Sequence, residues 1–203
     1  MQYGFYFDNA RCSGCKACEL ACKDYYDLGP EFSFRRVYAY EGGSWSQTPE
    51  GAWDQDVFAY HLSLSCNHCS QPVCVQVCPT GAMHKEDKGL VCVNSHVCVG
   101  CGYCMLSCPY KAAFVSTETH VSIKCTGCFE RVASGKEPIC VEACPVRALH
   151  FGDIEALRSA HGETTSIAPM PKPVTLPNIV IRPSLAARPV GDTAGFVANP
   201  KEV

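Results

Sequence analysis

The residues best equipped for chemistry are the cysteines, seventeen in a chain of 203, and sixteen of them fall into four runs. One run reads CVGCGYCMLSCP and places Cys98, Cys101, Cys104 and Cys108 at C-x2-C-x2-C-x3-C spacing, with Pro109 directly after. Thiolates at that spacing hold 4Fe-4S clusters. Three close sulfurs wrap one iron-sulfide cube, and the fourth, turned away by proline, serves a second. One such run therefore predicts another. Cys12, Cys15, Cys18 and Cys22 repeat the spacing, with Lys23 in place of proline. Cys66, Cys69, Cys74 and Cys78 precede Pro79 and stretch the middle interval by Ser70, Gln71 and Pro72. Cys125, Cys128, Cys140 and Cys144 precede Pro145, with Phe129 to Ile139 between the second and third ligands.

Exchange of the fourth ligand between runs predicts four 4Fe-4S clusters. Cys66, Cys69 and Cys74 take Cys108, while Cys98, Cys101 and Cys104 take Cys78. By the same exchange Cys12, Cys15 and Cys18 take Cys144, and Cys125, Cys128 and Cys140 take Cys22. Pairing of adjacent runs is an alternative at the outer sites, less attractive because the first and last runs are left over once the inner pair is matched. Cys125 and Cys128 alone would also suit half of a zinc site; beside three cluster-type runs, and with Cys144 followed by proline, a fourth cluster is favoured. A disulfide framework is rejected, because the count is odd and the cysteines are clustered. Cys92, in the strand-like stretch Leu90 to Val93, reads as a buried structural thiol. His68 and His96 read as surroundings of the clusters, His68 being placed to tune a potential by hydrogen bonding to sulfur.

With every iron ligated by cysteine, no open iron is left for a substrate. The glycines follow neither the G-x-G-x-x-G nor the Walker pattern, and no triad-like grouping occurs. The chain is therefore expected to conduct electrons and to have no catalytic residues of its own. The formal net charge of -3 excludes a basic surplus, so no nucleic acid partner is expected. Ligating thiolates add negative charge that basic neighbours and backbone N–H groups must offset. Arg11, Lys16, Lys23, Lys111, Lys124 and Arg131 flank the runs and read equally well as solvated charges. No stretch has the eighteen or so apolar residues of a membrane helix, so no direct membrane span is expected. With neither an apolar signal core nor a twin-arginine pair before Cys12, the chain is expected to be soluble as written.

These runs need short elements to position them, and the pattern between them predicts an α+β fold. It comprises two ferredoxin-like 4Fe-4S modules in tandem, with a β-hairpin insertion and an extended C-terminal arm. The inner module is 66–113, the outer module joins 1–22 to 114–152, the insertion is 23–65 and the arm is 153–203. Tyr3, Phe5 and Phe7 mark a first strand, and Glu19 to Tyr26 a short helix. Ser33 to Tyr40 and Val57 to Leu64 read as the strands of a long hairpin. Trp45 and Trp53 lie at its tip, either packing beside the clusters or forming a docking surface. Gly81 to Val93 reads as a short hairpin turning near Asp87, Lys88 and Gly89. A CP-x-x-A core recurs at Cys78, Cys108 and Cys144, as a doubled module requires. Ile154 to Ala160 predicts a helix stopped at Gly162. The stretch from Pro169 to Pro200 is too rich in proline for helix, and its apolar residues, Ile179 to Ile181 and Phe196 among them, favour an arm packed on the body or a partner over a disordered tail.

The order of the runs, the C-x2-C-x11-C-x3-C-P form of the last, and the blocks QYGFYFDNARCSGCKACELACKD, SCNHC, CPTGAMHK, KCTGCFERV and GDTAGFVANPKEV resemble the iron-sulfur subunits of anaerobic dimethyl sulfoxide reductases. The resemblance covers nearly the whole chain. The cysteine runs alone are shared with electron-transfer subunits of many molybdenum and tungsten enzymes; the blocks between them narrow the match. The resemblance implies a subunit that relays electrons from an integral-membrane, menaquinol-oxidising anchor subunit. Its acceptor would be a molybdopterin-containing catalytic subunit that reduces dimethyl sulfoxide and related S- and N-oxides. It also implies a peripheral position on the periplasmic face of the bacterial inner membrane, reached by export with the catalytic partner, with the cytoplasmic face as the alternative. Relatives that replace the residue corresponding to Cys101 hold a 3Fe-4S cluster, whereas this chain keeps the cysteine. Equivalent subunits of formate dehydrogenase, hydrogenase, polysulfide or nitrate reductase complexes are the alternative reading, with a free ferredoxin-like carrier as a third. The hairpin and arm argue against a free carrier, which needs neither.

Overall fold

Cysteine loops take up much of the chain, and the regular elements between them are short. The computed structural model describes all 203 residues and holds twelve strands and six helices in a mixed α/β arrangement. β1 (Tyr3–Asp8) leads through the first cysteine loop into α1 (Ala17–Tyr25). β2 (Arg35–Gly42) follows, then β3 (Trp45–Gln47) and β4 (Trp53–Gln55), which pair with each other, and β5 (Phe58–Ser65), which returns along β2. α2 (Val73–Gln76) precedes a hairpin of β6 (Met83–Lys85) and β7 (Val91–Val93), and α3 (Tyr103–Ser107) precedes a second hairpin of β8 (Ala113–Val115) and β9 (Ser122–Lys124). α4 (Phe129–Ala133) and α5 (Ile139–Glu142) occupy the last cysteine run, and β10 (Leu149–Asp153) passes directly into α6 (Ile154–His161). The proline-rich segment supplies β11 (Ile179–Arg182) and β12 (Gly195–Val197).

Two three-stranded sheets organise these pieces. In the first, β1 lies between β10, antiparallel, and β11, parallel. Residues 4 to 8 of β1 are all buried, as expected for a central strand covered on both faces. The alternation suggested by Tyr3, Phe5 and Phe7 is overridden because α6 and the arm close over the second face. A side chain at Gly4 would stand 2.5 Å from the Asn178 carbonyl oxygen and 2.6 Å from Ile154 Cδ1, so only glycine lets both neighbours approach. In the second sheet β2 and β5 pair over eight residues, from Arg35 opposite Ser65 to Gly42 opposite Phe58, and β12 adds to the free edge of β2. Trp45 and Trp53 are 64% and 66% exposed on the β3–β4 hairpin, so neither packs beside the cysteine loops.

The main core cluster mixes Phe5, Phe7, Leu62, Ile179 and Ile181 with the thiols of Cys18, Cys22, Cys66, Cys125, Cys140 and Cys144. Cysteine is thus a core residue as well as a loop residue here. α1 turns Cys18, Glu19 and Cys22 inward, one helical turn separating the two thiols. α6 starts where Asp153 accepts hydrogen bonds from the N–H groups of Glu155 and Ala156, both at 3.2 Å, and ends at Gly162, whose φ is +93°. Asp153→Ala removes this cap, and a loss of about 1 kcal/mol in chemical denaturation of the loaded protein is expected.

Candidate metal centres

Each cysteine run begins with a tight loop that needs an unusual backbone. Three runs read Cys-x-Gly-Cys, and Gly14, Gly100 and Gly127 have φ of +71°, +64° and +69°; in the remaining run His68 takes this position with φ +43°. A side chain at Gly14 would run into the His61 ring, and one at Gly100 into the His120 carbonyl. The loop turns backbone N–H groups toward sulfur, and Gly127 N–H donates to Cys125 Sγ at 3.4 Å. The CP-x-x-A repeat has a similar purpose at the other end of three runs. Met83 N–H donates to Cys78 Sγ at 3.3 Å, Ala112 N–H to Cys108 Sγ at 3.4 Å and Ala148 N–H to Cys144 Sγ at 3.2 Å. Such bonds stabilise a thiolate.

The sixteen cysteines of the four runs meet in four groups. Cys98, Cys101, Cys104 and Cys78 line a cavity of about 350 Å³. Cys12, Cys15, Cys18 and Cys144 line another of about 310 Å³, and Cys66, Cys69, Cys74 and Cys108 a third of about 320 Å³. Cys22 on α1 faces Cys125, Cys140 and Cys128 from the last run. No three donors close to the span of a single metal ion; the sulfurs surround a space instead. Burial pushes the thiols of Cys12 and Cys69 up to about 11 and those of Cys74 and Cys125 up to about 12. Cys22 moves the same way, through burial and then the Cys125 and Cys140 thiols beside it. At Cys78 burial is outweighed by the N–H groups of Met83, Thr80 and Ala82, and the pKa falls below the usual thiol value. Buried thiols that resist ionisation on their own suit a cationic iron centre that displaces their protons.

Side-chain hydroxyls complete the sulfur environments. Thr175 donates to Cys69 Sγ at 3.1 Å, Tyr26 donates to Cys128 Sγ at 3.4 Å, and Ser63 and Ser122 stand 3.3 Å from Cys18 and Cys104 Sγ. Among the flanking cations, Arg11 lies 3.7 Å from Asp8, Lys16 pairs with Glu202, Arg131 pairs with Glu142, and Lys23 donates to the carbonyls of Gly29, Pro30 and Phe32. Lys111 is exposed. Lys124 differs, being 3% exposed, and donates to the carbonyls of Val91 and Cys125. Arg35, which sequence reasoning passes over as part of the insertion, is 2% exposed between sulfurs. Only the pairing of β2 with β5 brings it there.

His68 makes no hydrogen bond to a cysteine sulfur. Its Nδ1 accepts from Val91 N–H at 2.9 Å, and Nε2 has no partner. Burial, with Lys124, Lys85 and Arg35 nearby, lowers its pKa well below the usual imidazole value and keeps the ring neutral. His96 is exposed, and Cys92 is buried in β7 outside the four groups.

Residues 57–154 match the family described as a 4Fe-4S dicluster domain. The chain is 58% identical over 203 residues to the probable anaerobic dimethyl sulfoxide reductase subunit YnfG of Escherichia coli (strain K12), covering all of this chain and 98% of that one. It is 58% identical over 204 residues to the B subunit of anaerobic dimethyl sulfoxide reductase from the same organism, with the same coverage. The chain belongs to the family of anaerobic dimethyl sulfoxide reductase B subunits. The B subunit of Haemophilus influenzae is 56% identical over 203 residues, 99% of its length. As a member of this family, the protein is an iron-sulfur electron-transfer component of a multi-subunit reductase and is distinct from the catalytic subunit. No helix is long and apolar enough to cross a membrane.

Proposed function

We propose that this B subunit carries four 4Fe-4S clusters and relays electrons from a menaquinol-oxidising membrane subunit to a molybdenum-containing catalytic subunit that reduces dimethyl sulfoxide and related S- and N-oxides. The holders are the four cysteine groups: Cys98, Cys101, Cys104 with Cys78; Cys66, Cys69, Cys74 with Cys108; Cys125, Cys128, Cys140 with Cys22; and Cys12, Cys15, Cys18 with Cys144. Bound clusters supply one-electron redox capacity. The subunit's own residues hold them in line, screen the inner two from water and shape their fields.

The observation that carries this reading is the arrangement of the groups as a series. Cys18 of one group lies beside Cys140 of the next, and Cys125 of that group lies beside Cys66 of the third. The run Cys98 to Cys108 contributes to both the third and the fourth. Cys15 and Cys101, in the two terminal groups, are exposed. A series buried in the middle and accessible at both ends suits entry at one partner and exit at another. The tandem arrangement of an inner module, 66–113, and an outer one joining 1–22 to 114–152 is supported by the pairing of β1 with β10. Periplasmic placement, by export with the catalytic subunit, belongs to the same proposal.

The test is elemental analysis of the native complex, isolated without oxygen through a tag on this subunit. About 16 iron atoms per copy beyond those of any partner cluster, with near-stoichiometric molybdenum, are expected for a four-cluster relay. Iron without molybdenum or tungsten would remove the reductase role, and zinc with little iron would remove the cluster reading.

A further inference from the structure

Two buried cations lie between neighbouring cysteine groups, and neither has a carboxylate partner. Arg35 donates from Nη1 to Ser63 Oγ at 3.1 Å and from Nη2 to Ser65 Oγ at 2.9 Å, stacks 4.7 Å from the Phe5 ring centroid, and leaves Nε without a partner. Ser63 Oγ in turn stands 3.3 Å from Cys18 Sγ, and Cys140 and Cys125 also lie beside the guanidinium. These come from two adjacent groups. Lys124 hangs from β9 with its ammonium on the carbonyls of Val91 and Cys125, among the thiols of Cys66, Cys125 and Cys74. These come from a different adjacent pair, with Cys125 common to both.

A buried cation without a counter-ion is strongly destabilising. Two such residues, each inserted among thiols, are understandable when the thiols carry the compensating charge. Arg36 makes the contrast: also buried, it donates to the carbonyls of Tyr110 and Lys111 and lies near the rings of Tyr38 and Phe114.

We propose that Arg35 and Lys124 are the internal counter-charges of the relay, each shared by two neighbouring centres, so that one side chain sets the reduction potentials of a pair. This inference rests on the four-cluster reading above. Adding an electron to either neighbour places negative charge beside the same fixed positive charge, in a medium where water screens little. The cation therefore favours the reduced state of both. The two pairs overlap at the group of Cys22, Cys125, Cys128 and Cys140, which feels both cations. The group of Cys98 feels neither.

The experiment is an anaerobic redox titration, followed by EPR, of the complete complex carrying Lys124→Met, Lys124→Arg or Arg35→Met. Methionine keeps an apolar stem without charge. Iron content is measured first on every preparation. In each methionine variant two midpoints are expected to fall, with the reduced-to-oxidised ratio at fixed ambient potential dropping about tenfold, equivalent to about 59 mV for one electron. One midpoint should move in both variants and one in neither, while Lys124→Arg should stay near the parent. Loss of iron in Lys124→Met but not in Lys124→Arg supports the same role, since the charge itself is then needed to retain the anionic centres. Unchanged potentials in fully loaded methionine variants, a uniform shift of all four, or iron loss in both Lys124 variants would overturn it. A parent complex short of about 16 iron atoms would instead sink the four-cluster reading, and that measurement is independent of the potentials.

Discussion

Stripping iron from the chain is expected to abolish its cooperative thermal transition rather than lower it by a few degrees. The regular elements give little support on their own. Three of the five sheets are two-stranded hairpins, marginal in isolation, and α2, α3, α4 and α5 have only four or five residues each, well short of what stands alone in water. There are 86 backbone–backbone hydrogen bonds, where a globular chain of this length would have about 140. Thiols form part of the main core, and without iron they revert to protonated groups around cavities. Arg35 and Lys124 would then be buried charges with nothing opposite them. Removing the partner of a buried charge costs about 3–5 kcal/mol each, so the two together reach the range of a whole domain's stability, about 5–15 kcal/mol. Far-ultraviolet circular dichroism and calorimetry on chelated and loaded protein, both kept anaerobic, give the comparison. A chelated chain with a sharp transition near that of the loaded one would show that the polypeptide holds itself together.

The cysteine spacing exposes the candidate site in the sequence because cluster ligation is local. Three cysteines of a group come from one run, and the proline after Cys78, Cys108 and Cys144 marks where the chain turns toward another. Cys22 lacks that mark. It reaches Cys125 from α1 instead, one helical turn beyond Cys18 and on the same face. What lies around the sulfurs is less legible, because it depends on contacts between segments far apart in sequence. Thr175 sits 106 residues from Cys69, and nothing in its neighbours sets it apart from other arm residues. In the sequence Lys124 looks no different from Lys111 or Arg131; it is β9 that carries it inside. His68 stands out for its chemistry, but its backbone explains its position as well: it adopts the positive φ that glycine supplies in the other three loops. The arm is legible as packed, but its strands are not. Short apolar stretches such as Ile179 to Ile181 carry no period, and they become strands because β1 and β2 offer unpaired edges.

Truncation after Val174 is expected to prevent folding of the chain, although it removes no cysteine. The lost segment contains β11, whose Ile179, Val180 and Ile181 are almost fully buried against β1. At about 1.5–3 kcal/mol for each buried aliphatic side chain, their loss alone amounts to about 5–9 kcal/mol, again comparable with total stability. It also removes a strap over the second cysteine loop. Ser70 and Gln71 donate their N–H groups to the carbonyls of Leu176 and Thr175, Asn178 N–H donates to the Asn67 carbonyl, and Asn178 Nδ2 donates to the His68 carbonyl at 2.8 Å. Asn178 Oδ1 accepts from Ser70 Oγ at 3.2 Å. Asn178→Ala separates the two contributions, because it keeps the strand and the backbone bonds but leaves the Ser70 hydroxyl short of a partner and the His68 carbonyl with only the 3.4 Å bond from Gln2 Nε2. It should lower stability by about 2 kcal/mol while the chain still folds and loads iron. The checks are yield, iron per chain and thermal midpoint of the two variants beside the parent. The arm is an integral part of the fold if truncation fails and Asn178→Ala lies between it and the parent. A truncated chain with full iron and an unchanged midpoint would reduce the arm to a covering.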